Sequence, residues 1–257
     1  MPACFQSVDV VLVSPRNPLN IGAVARALAN FGFPHLAVVA PWEPHWQEAR
    51  SAVGADDLLQ QAKRTETLAE AVAACTLVIG TGTLTHRKAE QEVVSLLDLA
   101  PRVRRELDRN GRIALVFGPE KHGLTREDLS WCHLLVEIPT NPRQPSMNLG
   151  QAVAVCLYEL AARAAVPAPP DQPVVEIPAL QHSPATAAPS AHLDRLAEVI
   201  EETMAYAGYS PTAMQGSNRH DLRLLLRRLA PSARDTRRML GLFRRILFRL
   251  AHPSNPN

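Results

Sequence analysis

Short β-branched runs recur along the first part of the chain: Val8 to Val13 (VDVVLV), Leu36 to Val39, Thr76 to Gly80 (TLVIG), Ile113 to Phe117 (IALVF) and Leu134 to Ile138. Continuous apolar runs of this length, bounded by turn residues, read as strands buried on both faces. Between them lie stretches of helical length: Ile21 to Phe31, Thr67 to Ala74, Val93 to Asn110 and Asn148 to Ala165. The alternation predicts an α/β fold around a mainly parallel sheet. From Pro167 to Pro189, seven prolines in 23 residues cannot hold a helix or a central strand, and a semi-extended linker is expected. Beyond it, His192 to Ala207, Leu222 to Leu229 and Ala233 to Leu250 read as helices, the first broken by Gly208-Tyr209-Ser210-Pro211. The expected organisation is an α/β domain over 1–165, a proline-rich linker over 166–190 and a small helical extension over 191–257.

Composition changes this picture at one end only. The net charge is +2, yet residues 218–250 hold 10 arginines, no lysine and 2 acids, which leaves the rest of the chain at −6. In helical projection Arg234, Arg238, Arg245 and Arg249 fall within roughly 60°, with Met239, Phe243, Ile246 and Leu250 on the opposite arc. Arginine without lysine favours RNA, because the planar guanidinium binds phosphate bidentately and stacks on bases. A solvated face in a dimer interface or in a small helical domain is the alternative. A membrane-surface helix would usually carry Trp or several Phe.

Cys4, Cys75, Cys132 and Cys156 are far apart, with no CxxC and no nearby paired His, so neither a disulfide scaffold nor a metal site is expected. The sequence shows no signal-peptide pattern and no apolar run of membrane-spanning length. These features lead to the expectation of a soluble, cytoplasmic protein without a membrane partner.

The common nucleotide signatures fail. Gly80-Thr81-Gly82-Thr83-Leu84-Thr85 has GxG but lacks the third glycine, and Gly118 to Gly123 continues as Leu124-Thr125 instead of Lys-Ser/Thr. GxSxG and HExxH are absent. Three other clusters sit just after strand ends, where α/β proteins place their sites. The first is Asn20-Ile21-Gly22-Ala23-Val24-Ala25-Arg26. There Asn20 is a candidate N-cap, Gly22 permits close backbone approach, and Arg26 is either a helix-surface residue or a phosphate-facing guanidinium beside free helix N–H groups. The second is Phe117-Gly118-Pro119-Glu120-Lys121-His122-Gly123-Leu124-Thr125, in which Glu120 needs a partner unless it is a solvated turn residue, and Arg26 is the natural one. The third is Ile138-Pro139 followed by Ser146-Met147-Asn148-Leu149-Gly150-Gln151-Ala152, where Ser146 or Asn148 can cap the closing helix.

In this order and spacing, NxGxxxR, FGxExxG after an apolar strand, and IP with SxNxxxA before a closing helix resemble the motifs of the SpoU/TrmH branch of the SPOUT family of RNA methyltransferases. The resemblance covers about residues 6–165. Within the branch it is strongest to the TrmJ group, on the wording FGPEKHGLT, the helix after SMNLGQAV and the arginine-rich tail. It implies S-adenosyl-L-methionine (AdoMet) as methyl donor, a trefoil knot in the C-terminal part of the α/β domain, and a homodimer with the site near the interface. Physical priors alone give an unknotted sheet. The implied reaction is 2'-O-methylation of ribose in the tRNA anticodon loop, at nucleotide 32 (Cm/Um), or else at another tRNA site or in rRNA.

By match to these motifs, Thr81, Gly82, Thr83, Gly118, Ile138, Ser146, Met147 and Asn148 would contact the cofactor. Asn20, Arg26, Glu120, Ser146 and Asn148 would be the catalytic set, and Arg26, Arg87 and the tail's Arg234, Arg238, Arg245 and Arg249 would meet RNA. A guanidinium pKa above ~12 makes Arg26 a poor base. Electrostatic stabilisation and phosphate clamping by Arg26, oriented by Glu120, is the expected role. Asn20 and Asn148 would position the ribose or the RNA backbone, and Ser146 would bridge the cofactor and substrate loops. Arg87 and Lys88 stand later after Gly80 than the TrmJ pattern places its arginine. A catalytically silent RNA-binding module and an unrelated nucleotide-binding enzyme are the competing readings. The intact catalytic set argues against the first, and the failed fingerprints argue against the second.

Overall fold

The structure, a computed structural model, describes residues 3–42, 45–82, 89–164, 186–209 and 214–252. Strands β1 (Val8–Val13), β2 (His35–Val39), β3 (Lys63–Thr65), β4 (Leu77–Thr81), β5 (Glu92–Ser95), β6 (Ile113–Phe117) and β7 (Leu134–Glu137) form one sheet in the order β3-β2-β1-β6-β4-β7-β5. All pairs are parallel. Side chains alternate between two apolar cores, Val10 and Leu12 facing one and Val11 and Val13 the other, as the two-residue period of a strand requires. On the first face pack α1 (Pro18–Phe31), α2 (Asp56–Gln60), α4 (Leu99–Asp108) and α6 (Leu149–Ala164). On the second lie α3 (Leu68–Val72) and α5 (Arg126–Ser130). Both faces are covered, which is why β1 and β6 are buried along their whole length.

Two local expectations are corrected and one strand goes unread in the sequence. Residues 93–95, expected to begin a long helix, belong to edge strand β5, because Val94 pairs with Val136 of β7 and is buried there; a 3-10 turn at Leu96–Asp98 then leads into α4. Strand β3 carried no hydrophobic signature, since only Thr65 of Lys63-Arg64-Thr65 is buried. Helix α1 starts earlier than expected. Its N-cap is Asn17, whose Oδ1 accepts from Leu19 N–H at 2.9 Å, with Pro18 at the first helical position. Asn20 therefore sits inside the first turn with its amide available for other partners.

Helices α7 (Ser190–Tyr206), α8 (Gln215–Leu229) and α9 (Ala233–Ala251) pack on one another and against the α3/α5 side of the sheet. Ser190 donates to Cys75 O through its N–H at 2.9 Å and its hydroxyl at 3.1 Å. Much of the docking is done by arginine. Arg227 is buried, donates to Trp131 O at 2.9 Å, and pairs with Asp194 at 2.8 Å. Its guanidinium and that of Arg223 lie 5.1 and 4.0 Å from the Trp131 ring centre. Arg219 pairs with Glu201, and Arg223 with Glu127. The tail's charge thus divides: Arg219, Arg223 and Arg227 on α8 serve packing, while Arg234, Arg238, Arg245 and Arg249 on α9 are exposed.

Candidate active site

The C-terminal ends of β4, β6 and β7 deliver loops around a cleft of about 340 Å³. Its wall includes Thr81, Gly82, Gly118, Glu120, Ile138, Ser146 and Met147, over the apolar side chains of Leu124, Leu135 and Leu149. Of the expected cofactor residues only Asn148 lies off the wall, and Thr83 falls outside the described residues. The Thr81 hydroxyl donates to Val116 O at 2.9 Å and so ties β4 to β6. The loop after β6 doubles back on itself. A Cβ at Gly118 would stand 2.2 Å from Leu124 N and 2.3 Å from Gly123 C, closer than atoms can pack, so only glycine fits. Gly123, at φ +64°, closes the turn by donating to Pro119 O at 2.8 Å. The Thr140 hydroxyl donates to Pro145 O at 3.2 Å and shapes the loop before α6.

The three sequence clusters interlock through a chain of hydrogen bonds. Asn20 Nδ2 donates to Glu120 Oε1 at 2.8 Å, and Asn148 Nδ2 donates to Asn20 Oδ1 at 2.9 Å. Asn148 Oδ1 in turn accepts from Gly150 N–H at 2.9 Å, at the N-terminus of α6. Glu120 also accepts the Arg16 and Asn17 backbone N–H groups, each at 3.2 Å. Partial burial pushes the Glu120 carboxyl up, but the bonds from Asn20, from its own backbone and from Arg16 and Asn17 outweigh that and hold it below the usual carboxylate range. Helices α1 and α6 are held at close quarters below this chain, since a Cβ on Gly150 would come within 2.9 Å of Ala23 Cβ.

Arg26 is not the partner of Glu120, contrary to the expectation from sequence. It lies on the exposed face of α1 and forms no ion pair among the described residues. The reason is angular. Asn20 and Arg26 are six residues apart on one helix, a rotation of roughly 240°, so they cannot share a face. Asn20 takes the place assigned to Arg26, while the backbone of Arg16 and Asn17 supplies donors that sequence reasoning missed. The Asn17-Pro18 dipeptide was the available signal, an N-cap followed by proline at the first helical position. The Ser146 hydroxyl lines the cleft without a hydrogen bond among the described residues. Arg87 lies outside the described residues. Burial pushes the Cys75, Cys132 and Cys156 thiols up to about 12, which leaves them inert as nucleophiles. No cluster of three or more metal-binding side chains occurs among the described residues.

A parallel sheet with this cleft at its strand ends and with three interlocked loops defines a class of α/β enzyme, and comparison identifies it. Residues 7–158 match the SpoU rRNA Methylase family; the chain belongs to that family and is an RNA methyltransferase. It is 40% identical over 154 residues, 60% of each chain, to the tRNA (cytidine/uridine/adenosine-2'-O-)-methyltransferase TrmJ of Pseudomonas aeruginosa. It is 32% identical over 243 residues, 93% of this chain and 95% of the relative, to the tRNA (cytidine/uridine-2'-O-)-methyltransferase TrmJ of Klebsiella pneumoniae. The crystal structure of TrmJ from Z. mobilis superposes with a TM-score of 0.77 at 29% identity, over 93% of this chain and 98% of that one.

Proposed function

We propose that the protein methylates the 2'-hydroxyl of a ribose in tRNA, at nucleotide 32 of the anticodon loop, with AdoMet as donor. The tRNA 2'-O-methyltransferases it resembles over nearly its whole length support the substrate. The observation that carries the reading is the Glu120–Asn20–Asn148 chain, which couples the wall of the cleft to the N-termini of α1 and α6. The Asn20 and Asn148 side-chain amides stand at those termini, where the helix dipoles favour an incoming phosphate.

The cleft fits the donor. It falls in the size range of small-molecule sites, is floored by Leu124, Leu135 and Leu149, and offers main chain at Gly82, Gly118 and Ile138 for hydrogen bonding. When bound, AdoMet would supply an electrophilic methyl group on a sulfonium to the ribose 2'-oxygen, the sulfur leaving as the neutral thioether S-adenosylhomocysteine and the hydroxyl proton passing to water. Glu120 is unsuited to take the proton, because its oxygens are already occupied by donors that lower its basicity. Its role is to hold the loop after β6 against α1. Asn20 and Asn148 each keep a second amide N–H for the RNA, and the Ser146 hydroxyl stands at the junction of donor and substrate.

Arg26 faces outward from α1, on the same helix face as exposed Leu19, and α6, which packs against α1, exposes Val155 and Tyr158. A second copy covering this surface would bring a guanidinium to the developing alkoxide and the flanking phosphate. We therefore include a homodimer in the reading, with the knotted topology of the family for the α/β domain over 1–165 and α9 as an RNA-facing element of the extension over 191–257. No described helix is long and apolar enough to cross a membrane, and the reading includes a cytoplasmic location, which a tRNA substrate supports.

The test is incubation of the purified protein with isotope-labelled AdoMet and unmodified total tRNA or rRNA, followed by nucleoside mass spectrometry. Label in 2'-O-methylcytidine or 2'-O-methyluridine from tRNA is expected. Label from rRNA alone would reassign the substrate, and AdoMet binding without transfer to either RNA would indicate the silent module.

A further inference from the structure

One exposed aromatic side chain stands beside the site without a role in packing. Trp42 is 74% exposed, whereas Trp46 is buried and Trp131 lies under two arginines. Leaving an indole in water forgoes the burial that normally places it. Yet Trp42 is held in position. Its backbone N–H donates to Pro15 O at 3.2 Å, and the Arg16 guanidinium lies 5.2 Å from its ring centre.

The next residue interaction leads directly into the cleft, because the Arg16 N–H donates to Glu120 Oε2 at 3.2 Å and Glu120 forms part of the cleft wall. Both loops are turned by left-handed residues without a glycine: Ser14 (φ 45°) after β1 and Ala40 (φ 41°) after β2. Such conformations cost energy and persist where the surrounding structure imposes them. Here the Ser14 N–H donates to Val39 O at 2.8 Å and the Ala40 N–H to Thr65 O at 2.9 Å, so the sheet itself fixes both turns.

We propose that Trp42, with Arg16 beside it, is a stacking platform for an unpaired nucleobase of the RNA substrate, next to the nucleotide being methylated. An indole face gains from stacking on any base, and the adjacent guanidinium adds a phosphate contact or a second planar surface. A protein or lipid partner would require a contiguous apolar patch. Trp42 instead has a cation at its side and is tied through Pro15 and Arg16 to Glu120 of the cleft wall, which matches a single splayed-out base. The inference rests on RNA being the substrate, not on which RNA it is.

The experiment measures binding of the full-length protein to unmodified tRNA and to a single-stranded RNA decamer of mixed sequence, by intrinsic tryptophan fluorescence and by an independent filter assay. Trp42→Ala should weaken RNA binding about 5- to 150-fold, the range for losing one base–aromatic stack. KM for RNA should rise more than kcat falls, and AdoMet affinity should be unchanged. Trp42→Phe should bind RNA within a few-fold of the parent but lose the RNA-induced quenching. Equal RNA affinity of Trp42→Ala and the parent, or quenching that persists in Trp42→Phe, would overturn the platform. Failure of the tRNA assignment looks different: the parent protein would not methylate tRNA, while the effect of Trp42→Ala on decamer binding would remain.

Discussion

Replacing Asn20 with Ala cuts the chain between the three loops at its middle. The substitution removes a bond to a carboxylate at 2.8 Å and the acceptor for Asn148 at 2.9 Å, while Glu120 keeps the Arg16 and Asn17 N–H groups. A hydrogen bond to a charged group contributes about 1.5–3 kcal/mol and a neutral one about 1; Glu120 is only half-buried, which puts its bond at the lower end, so a loss of about 2–3 kcal/mol at pH 7 is expected. The sign of the pH dependence follows from the lowered Glu120 pKa. Its contribution is present above the unfolded carboxyl pKa and is lost as the pH falls through the lower folded value. Without Asn20 the folded pKa moves back up, so the difference between parent and variant should shrink toward acid pH. Urea unfolding at pH 7 and at pH 4, in a cycle with Glu120→Gln, measures the term directly. A coupling of about 1–2 kcal/mol between the two sites is expected. Strict additivity, or a stability loss equal at both pH values, would refute the chain as an energetic unit.

Four further outcomes are expected. Gly118→Ala should abolish measurable AdoMet binding in calorimetry while the protein still folds, since the new Cβ would lie 2.2 Å from Leu124 N and must displace the loop; retained affinity would show that the loop is not the wall of the donor site. Arg227→Met leaves the largely buried Asp194 without its partner and should cost about 3 kcal/mol, exposing α8 to limited proteolysis; a loss below about 1 kcal/mol would mean that the Trp131 contacts hold the extension alone. Burial, with Arg227 adding to it, pushes the His133 pKa down to about 3, so below pH 6.5 the unfolded chain binds one more proton and stability should fall by up to about 1.4 kcal/mol per pH unit; His133→Asn, which can still accept from Val78 N–H, should remove that slope, and an unchanged acid limb would contradict the assignment. Replacing Arg234, Arg238 and Arg245 together by Ala should lower the slope of log affinity for tRNA against log salt by roughly 2–3, and an unaltered slope would assign that face of α9 to another use.

Local sequence determined what local physics can determine. The five apolar runs became buried strands, because an uninterrupted β-branched stretch has only one favourable place in an α/β protein, the middle of a covered sheet. The three clusters that carry the site were legible for a related reason: their special residues answer local demands, as Gly118 does for a loop folded back on itself and Asn148 for the start of α6. Edge elements were not legible. Lys63-Arg64-Thr65 and Glu92-Val93-Val94-Ser95 are short and each buries only one residue fully, and only pairing with β2 and β7 makes them strands.

Partnerships across the fold belonged to tertiary structure alone. Charge complementarity in sequence pointed Glu120 at Arg26, but the start of α1 at Pro18 sets the helix phase, and that phase turns Asn20 inward and Arg26 out. The arginine tail likewise read as one basic block. Docking against Asp194, Glu127 and Trp131 turns Arg223 and Arg227 of α8 into internal bonds, so the charge left for a ligand lies mainly on α9. Periodicity fixes which residues share a face of one element. Which face meets which neighbour depends on strand order and helix phase, and those arise only when the sheet β3-β2-β1-β6-β4-β7-β5 assembles.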